Sequence, residues 1–209
     1  MIPEKFPFLK PFMLFFPEGN KEKGLEELKF VAENGKFGKI EARYFLLSSY
    51  YKFEENMFEA KKWADRLLKD FPNNPTFEKY LGRIYVKMGS YIKASPVFED
   101  IFKKCESGLP GYNDVTKREA AYYVGMRYKL QNNVDSTRIY FEISEKLSKK
   151  IDDEETGWLV NSLLYLGMCY DQLGDRDKAV KYYNEVLDMD DRRNSHEQAR
   201  RYLKNPYKH

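Results

Sequence analysis

The chain has 209 residues, 36 Lys and Arg against 33 Asp and Glu, and a formal net charge of +3. That near balance excludes a general nucleic-acid binder, which needs a clear basic excess, and 17 Tyr with 15 Phe exclude a disordered chain. Two Cys cannot build a disulfide framework, and two His leave little for a zinc site or a catalytic triad.

The chain opens on an apolar stretch broken by Pro3, Pro7, Pro11 and Pro17. Its longest apolar run, Phe12 to Phe16, is far short of the roughly 20 residues of a membrane span. It is also too short for the core of a secretory signal. Ile2, Phe6, Phe8 and Leu9 extend the apolar character. The segment is expected to pack on the next helix pair. Two alternatives stay open: it docks on further residues of a larger exported or envelope protein, or it joins two copies of the chain. The default expectation is a soluble cytoplasmic protein, or a periplasmic one if a leader is missing.

A short phrase then recurs along the chain. Its loosest copy is Leu46-Leu47-Ser48-Ser49-Tyr50-Tyr51. Closer copies are Tyr80-Leu81-Gly82-Arg83-Ile84-Tyr85, Tyr123-Val124-Gly125-Met126-Arg127-Tyr128 and Tyr165-Leu166-Gly167-Met168-Cys169-Tyr170. Each is followed by a polar break and a second amphipathic stretch, as in Gly174-Asp175 followed by Ala179, Tyr182-Tyr183 and Val186-Leu187. Such self-similarity marks repeat architectures.

These residues resemble the tetratricopeptide repeat family, whose 34-residue unit is a helix hairpin. Residues 41–74 fit with Tyr44, Leu47, Ser48, Tyr51, Ala60 and Pro72, and residues 75–108 with Leu81, Gly82, Tyr85, Ala94 and Phe98. Residues 118–151 fit with Ala121, Val124, Gly125, Tyr128 and Phe141, although Thr137 replaces an Ala. Residues 160–193 fit with Leu163, Leu166, Gly167, Tyr170, Ala179 and Tyr183, although Asp191 replaces a Pro. A degenerate unit covers 5–38, with Pro11 where Leu is expected. The resemblance implies an all-α, right-handed α-solenoid of four to five hairpins. In that code, small residues at places 8 and 20 let the paired helices approach, and large ones at 4, 7, 11 and 24 fill the space around them. One hairpin cannot bury its own apolar face, so neighbours must stack.

Two insertions interrupt the period. Residues 109–117 contain the turn signal Pro110-Gly111, and residues 152–159 run from an acidic stretch to Trp158. Either they lengthen helices, or they reach a partner, in which case Trp158 is the residue to watch. Pro96 predicts a late start or a mild kink for its helix. The tail, 194–209, reads as a capping helix with Ser195 and Gln198 in a capping-box pattern.

The sequence offers no chemistry of its own. His196 reads as a solvated surface residue and Cys169 as a buried, inert thiol. Cys105 ends a helix near Lys103 and Lys104, charges that in principle lower a thiol's pKa, but it is expected to be unreactive. The run from Asp188 fails as a calcium loop, because Arg193 and Ala199 stand where Gly and Glu are needed. No metal, cofactor or catalytic residue is expected, and the chain reads as a non-enzyme.

The resemblance implies a concave wall lined by the first helix of each unit. Mapped here, it holds Phe45, Ser49, Lys52 and Phe53, then Lys79, Arg83, Val86 and Lys87. It continues with Tyr122, Met126, Lys129 and Leu130, and ends with Leu164, Met168, Asp171 and Gln172. Lys79, Arg83 and Lys87 are spaced by four and share one helix face. The expected groove is Lys52, Phe53, Lys79, Arg83, Lys87, Tyr122, Met126 and Lys129, and its expected partner is a protein or peptide of acidic character. The alternative is that these cations only solvate an exposed face. The terminal pair Leu164 and Met168 is expected to take a hydrophobic partner or to bury a terminal segment.

Overall fold

The computed structural model describes residues 20–208. Among them, all regular structure is helical: α1 (Lys21–Asn34), α2 (Lys39–Lys52), α3 (Met57–Asp70), α4 (Pro75–Lys87), α5 (Tyr91–Glu106), α6 (Asp114–Leu130), α7 (Val134–Ile151), α8 (Gly157–Gln172), α9 (Arg176–Leu187) and α10 (Ser195–Lys204). The chain divides into two compact units, one ending at Gly89 and the other beginning at Ser90. The boundary falls between α4 and α5. In the first unit α1 packs on α2, α2 on α3 and α3 on α4. In the second the pairing runs from α5 to α9 in sequence, and α10 lies on both α9 and α8. The aromatic opening segment and the first half of the 5–38 unit lie outside the described residues.

Polar side chains set where the helices begin. Asn20, Asn56, Asn74, Asn113, Asn133, Thr156 and Asp175 each stand at an N-cap and accept a first-turn N–H. That satisfies donors that have no intrahelical partner. The turn before each second helix is equally regular. Glu55, Gly89, Asn132 and Gly174 occupy the same place in their units, and all have positive φ. Each directly precedes an N-cap, so one left-handed residue reverses the chain between the paired helices.

Packing follows the small-against-large logic. A Cβ on Gly125 would lie 3.2 Å from the Phe141 ring, and one on Gly167 would lie 2.5 Å from Tyr183. Both rings are fully buried. Thr137, which departs from the expected Ala, is buried with its hydroxyl donating to the Asn133 carbonyl at 2.7 Å. The departure therefore leaves no polar group orphaned. Tyr128 stacks on Tyr140 and Tyr170 on Tyr182, each at 5.5 Å between centroids. In the first unit Trp63, Leu46, Leu47, Leu67 and Ile84 are fully buried.

Two local expectations change. α5 starts at Tyr91, not late, and carries Pro96 inside it; Ser95 Oγ donates to the Tyr91 carbonyl at 2.8 Å. The tail does form a helix, but without the expected capping box. Asn194 is the N-cap, with φ of 60°, and Ser195 is already helical and buried. The capping group is Asp191, whose Oδ1 accepts from Ser195 Oγ at 3.0 Å and from the His196 amide at 3.2 Å. Positive φ at both Arg193 and Asn194 folds the chain back so that Asp191 reaches the helix start.

Candidate protein-binding faces

In the first unit the predicted stripe lies on α4. Lys79 and Arg83 are half-buried and Lys87 is exposed. Lys87 Nζ donates to the Tyr51 carbonyl at 3.1 Å and sits 4.3 Å from the centre of the Tyr51 ring. One cation of the stripe therefore also ties α4 to α2. α2 itself carries Phe45, 56% exposed, and the exposed Lys52, and it ends at Phe53, 45% exposed.

In the second unit the predicted wall is drier. Tyr122 is buried, against Trp158 at 5.0 Å and Phe141 at 5.6 Å between centroids. Burial raises its phenol well above the usual range. Lys129 lies between the Tyr165 and Tyr207 rings, 5.5 and 5.8 Å from their centres. Burial lowers its pKa, since a half-desolvated ammonium loses hydration. Met126 is half-buried beside the Tyr122–Phe141–Leu166 cluster. Leu164 and Met168 are core residues, and Tyr207 of the tail packs against their cluster.

Asp171 explains how the tail is held. Its carboxylate is fully buried. It accepts from Arg176 at 2.8 Å, from the Tyr183 hydroxyl at 2.9 Å and from the Tyr207 backbone N–H at 2.7 Å. Arg176 also donates to the carbonyls of Tyr202 and Leu203, at 2.9 and 2.7 Å. A wall position thus serves as the anchor of the C-terminal segment.

A cavity of about 420 Å³ opens between α6 and the first turn of α8. Arg118, Tyr122 and Tyr123 line it from α6, Glu155 to Trp158 and Asn161 from the start of α8, and Arg192 and Arg193 from the link to α10. Arg118 is buried, bonded through Nη1 to both oxygens of Asp152, and its guanidinium lies 5.8 Å from the Trp158 ring centre. Thr156 Oγ1 donates to the same Asp152 at 2.8 Å. The second insertion therefore closes a hydrogen-bonded corner and presents Trp158 as one wall of the cavity.

Residues 160–193 match the family profile described as Tetratricopeptide repeat. This is the fourth unit read from the sequence. Over that stretch the chain carries a tetratricopeptide repeat. Solved structures share its fold. MamA 41-end from Desulfovibrio magneticus RS-1 is 19% identical, with 89% of this chain and 93% of that one covered at a TM-score of 0.61. The TPR-like repeats described for a kinesin light chain of Podosopora anserina are 16% identical, covering 80% and 87% at a TM-score of 0.59. No curated protein sequence matches the chain.

Against the tetratricopeptide code, the residues missed in the sequence are Arg118, Asn161, Arg192 and Arg193. They lie at the edges of units or in the link after the last one, where the code prescribes nothing. His196 is also less solvated than expected: its ring Nε2 donates to the Met189 carbonyl at 2.7 Å. Cys169 is buried as expected, and burial pushes its thiol up to about 12. Among the described residues no group of His, Cys, Asp and Glu could hold a metal ion. None of their helices is long and apolar enough to cross a membrane.

Proposed function

We propose that this tetratricopeptide-repeat chain is a non-catalytic scaffold that holds an acidic segment of a partner protein. The faces assigned to that task are Lys52, Phe53, Lys79, Arg83 and Lys87 in the first unit, with Tyr122, Met126 and Lys129 in the second. The observation that carries the reading is the α4 stripe of cations four residues apart, tied through Lys87 to α2, the helix that carries the exposed Phe45 and ends at the exposed Phe53. Cations beside apolar surface suit a segment with carboxylates and apolar residues: charge steers the encounter and buried rings hold it. The buried titratable groups Asp171 and Cys169 support a non-catalytic role, since one holds the tail and the other is an unreactive thiol.

The test is capture of partner proteins on the immobilised chain, compared with the double variant Lys79→Glu, Arg83→Glu. Capture should be lost while the far-ultraviolet circular dichroism of the variant is unchanged. Partners retained by the variant would remove the α4 face from the binding site.

A further inference from the structure

We propose that the cavity between α6 and the first turn of α8 is the anchor point for the partner's acidic segment, taking an Asp or Glu side chain and an apolar neighbour together. This rests on the scaffold reading and names a site that the repeat code does not specify.

Charge facing the opening is the first argument. Three guanidiniums, Arg118, Arg192 and Arg193, line the cavity against the single carboxylate of Glu155. Arg118 and Arg192 are paired with Asp152 and Asp190, which stand outside the lining. Glu155 is partly committed too, accepting the Asp190 amide at 2.7 Å. Arg193 differs. It is exposed and has neither a hydrogen bond nor an ion pair through its side chain among the described residues. Its charge is felt at Tyr122 and Tyr165, so it lies near the cavity's aromatic wall.

The second argument is the helix start. Thr156 caps only the Leu159 amide, at 3.4 Å. The first-turn N–H groups at Gly157 and Trp158 have no acceptor within the helix, and the helix dipole favours an anion at this end. The third argument is the rings. Trp158 meets Tyr122 and Tyr123 edge-on, at 5.0 and 5.7 Å between centroids, so a flat apolar wall stands beside the positive charge. An isolated phosphate would use the guanidiniums and leave this wall unused. A carboxylate next to an apolar residue in an extended segment uses both. A planar, undeprotonated guanidinium such as Arg193 is the natural partner for that carboxylate.

The chain carries its own reporter. Of its two Trp, Trp63 is fully buried in the first unit and Trp158 lines the cavity. The experiment is a fluorescence titration of the whole chain with the acetylated, amidated probe peptide Glu-Glu-Phe-Glu-Glu, its Gln counterpart Gln-Gln-Phe-Gln-Gln, and sodium phosphate. The acidic peptide should change tryptophan emission saturably, and the Gln peptide and phosphate should not. Trp158→Phe should abolish the signal. Arg193→Glu, a change at an exposed position, should weaken binding at least tenfold while leaving thermal unfolding in place.

An equal response to the Gln peptide, saturation by phosphate alone, or unchanged affinity in Arg193→Glu would each overturn the proposal. The two readings separate cleanly. Binding that survives Arg193→Glu but disappears in Lys79→Glu, Arg83→Glu removes the cavity and keeps the scaffold. Binding insensitive to both sets of changes removes both.

Discussion

At the scale of single residues, the contact between Gly167 and Tyr183 is the tightest constraint described. The glycine is not needed for an unusual backbone, since it sits inside α8. It is needed because the Tyr183 ring occupies the space of its Cβ. The ring cannot withdraw freely, because its hydroxyl is held by Asp171 at 2.9 Å. Gly167→Ala should therefore cost about 1–3 kcal/mol, as overpacking in a filled core does, despite the better helix propensity of Ala. Urea unfolding of the variant measures this, and an unchanged midpoint would mean that the ring relaxes. Cys169 supports a second prediction. Its thiol is raised to about 12 by burial, so it remains protonated and unreactive at pH 8. Thiol titration of the native chain at that pH should leave Cys169 unmodified, and adding denaturant should expose it.

Among the elements, the C-terminal helix and its tail show how a wall position becomes structural. Asp171 belongs to the face that the repeat code assigns to ligands, yet the chain spends it on its own Tyr207 amide and Arg176. Asp171→Ala would leave the buried Tyr183 hydroxyl and the Tyr207 amide without an acceptor. Arg176 is about one-third exposed, so its lost ion pair counts for less than a fully buried one. The expected loss is roughly 2–4 kcal/mol, mostly from unsatisfied donors. Hydrogen exchange should show the Tyr207 amide losing protection first. If that amide stays protected, the tail is held by ring packing instead. Most helix starts are capped by an Asn or Asp directly before the helix. The cap of α10 is not read from spacing, because Asp191 reaches it only through two consecutive left-handed residues, Arg193 and Asn194.

At the scale of the whole molecule, the proposed reading places basic faces within a chain whose formal charge is only +3. Attraction between such faces and an acidic segment is screened within about 10 Å at 0.1 M salt. The core contacts that hold the hairpins are apolar and short-ranged. Raising sodium chloride from about 0.05 to 0.5 M, across which that screening length falls severalfold, should weaken binding of the Glu-Glu-Phe-Glu-Glu probe at least tenfold. The thermal midpoint should move little. Binding indifferent to salt would point to apolar docking alone.

The repeat period, the all-helical fold, the small-against-large pairs and the inert Cys169 could all be read from the chain itself. Each depends on neighbours at fixed sequence spacing, and a repeated hairpin turns spacing directly into contact. The tertiary structure decided what spacing cannot express. It brought Arg118, Trp158 and Arg193, which no period relates, around one cavity. It also decided between the two expectations for Leu164 and Met168, whose cluster Tyr207 of the tail packs against, and it committed Asp171 to the same tail. The physical reason is that a repeat code constrains interiors, where volume and hydrogen bonds must close. Insertions and links escape that constraint, and their side chains acquire a role only from what the fold places opposite them.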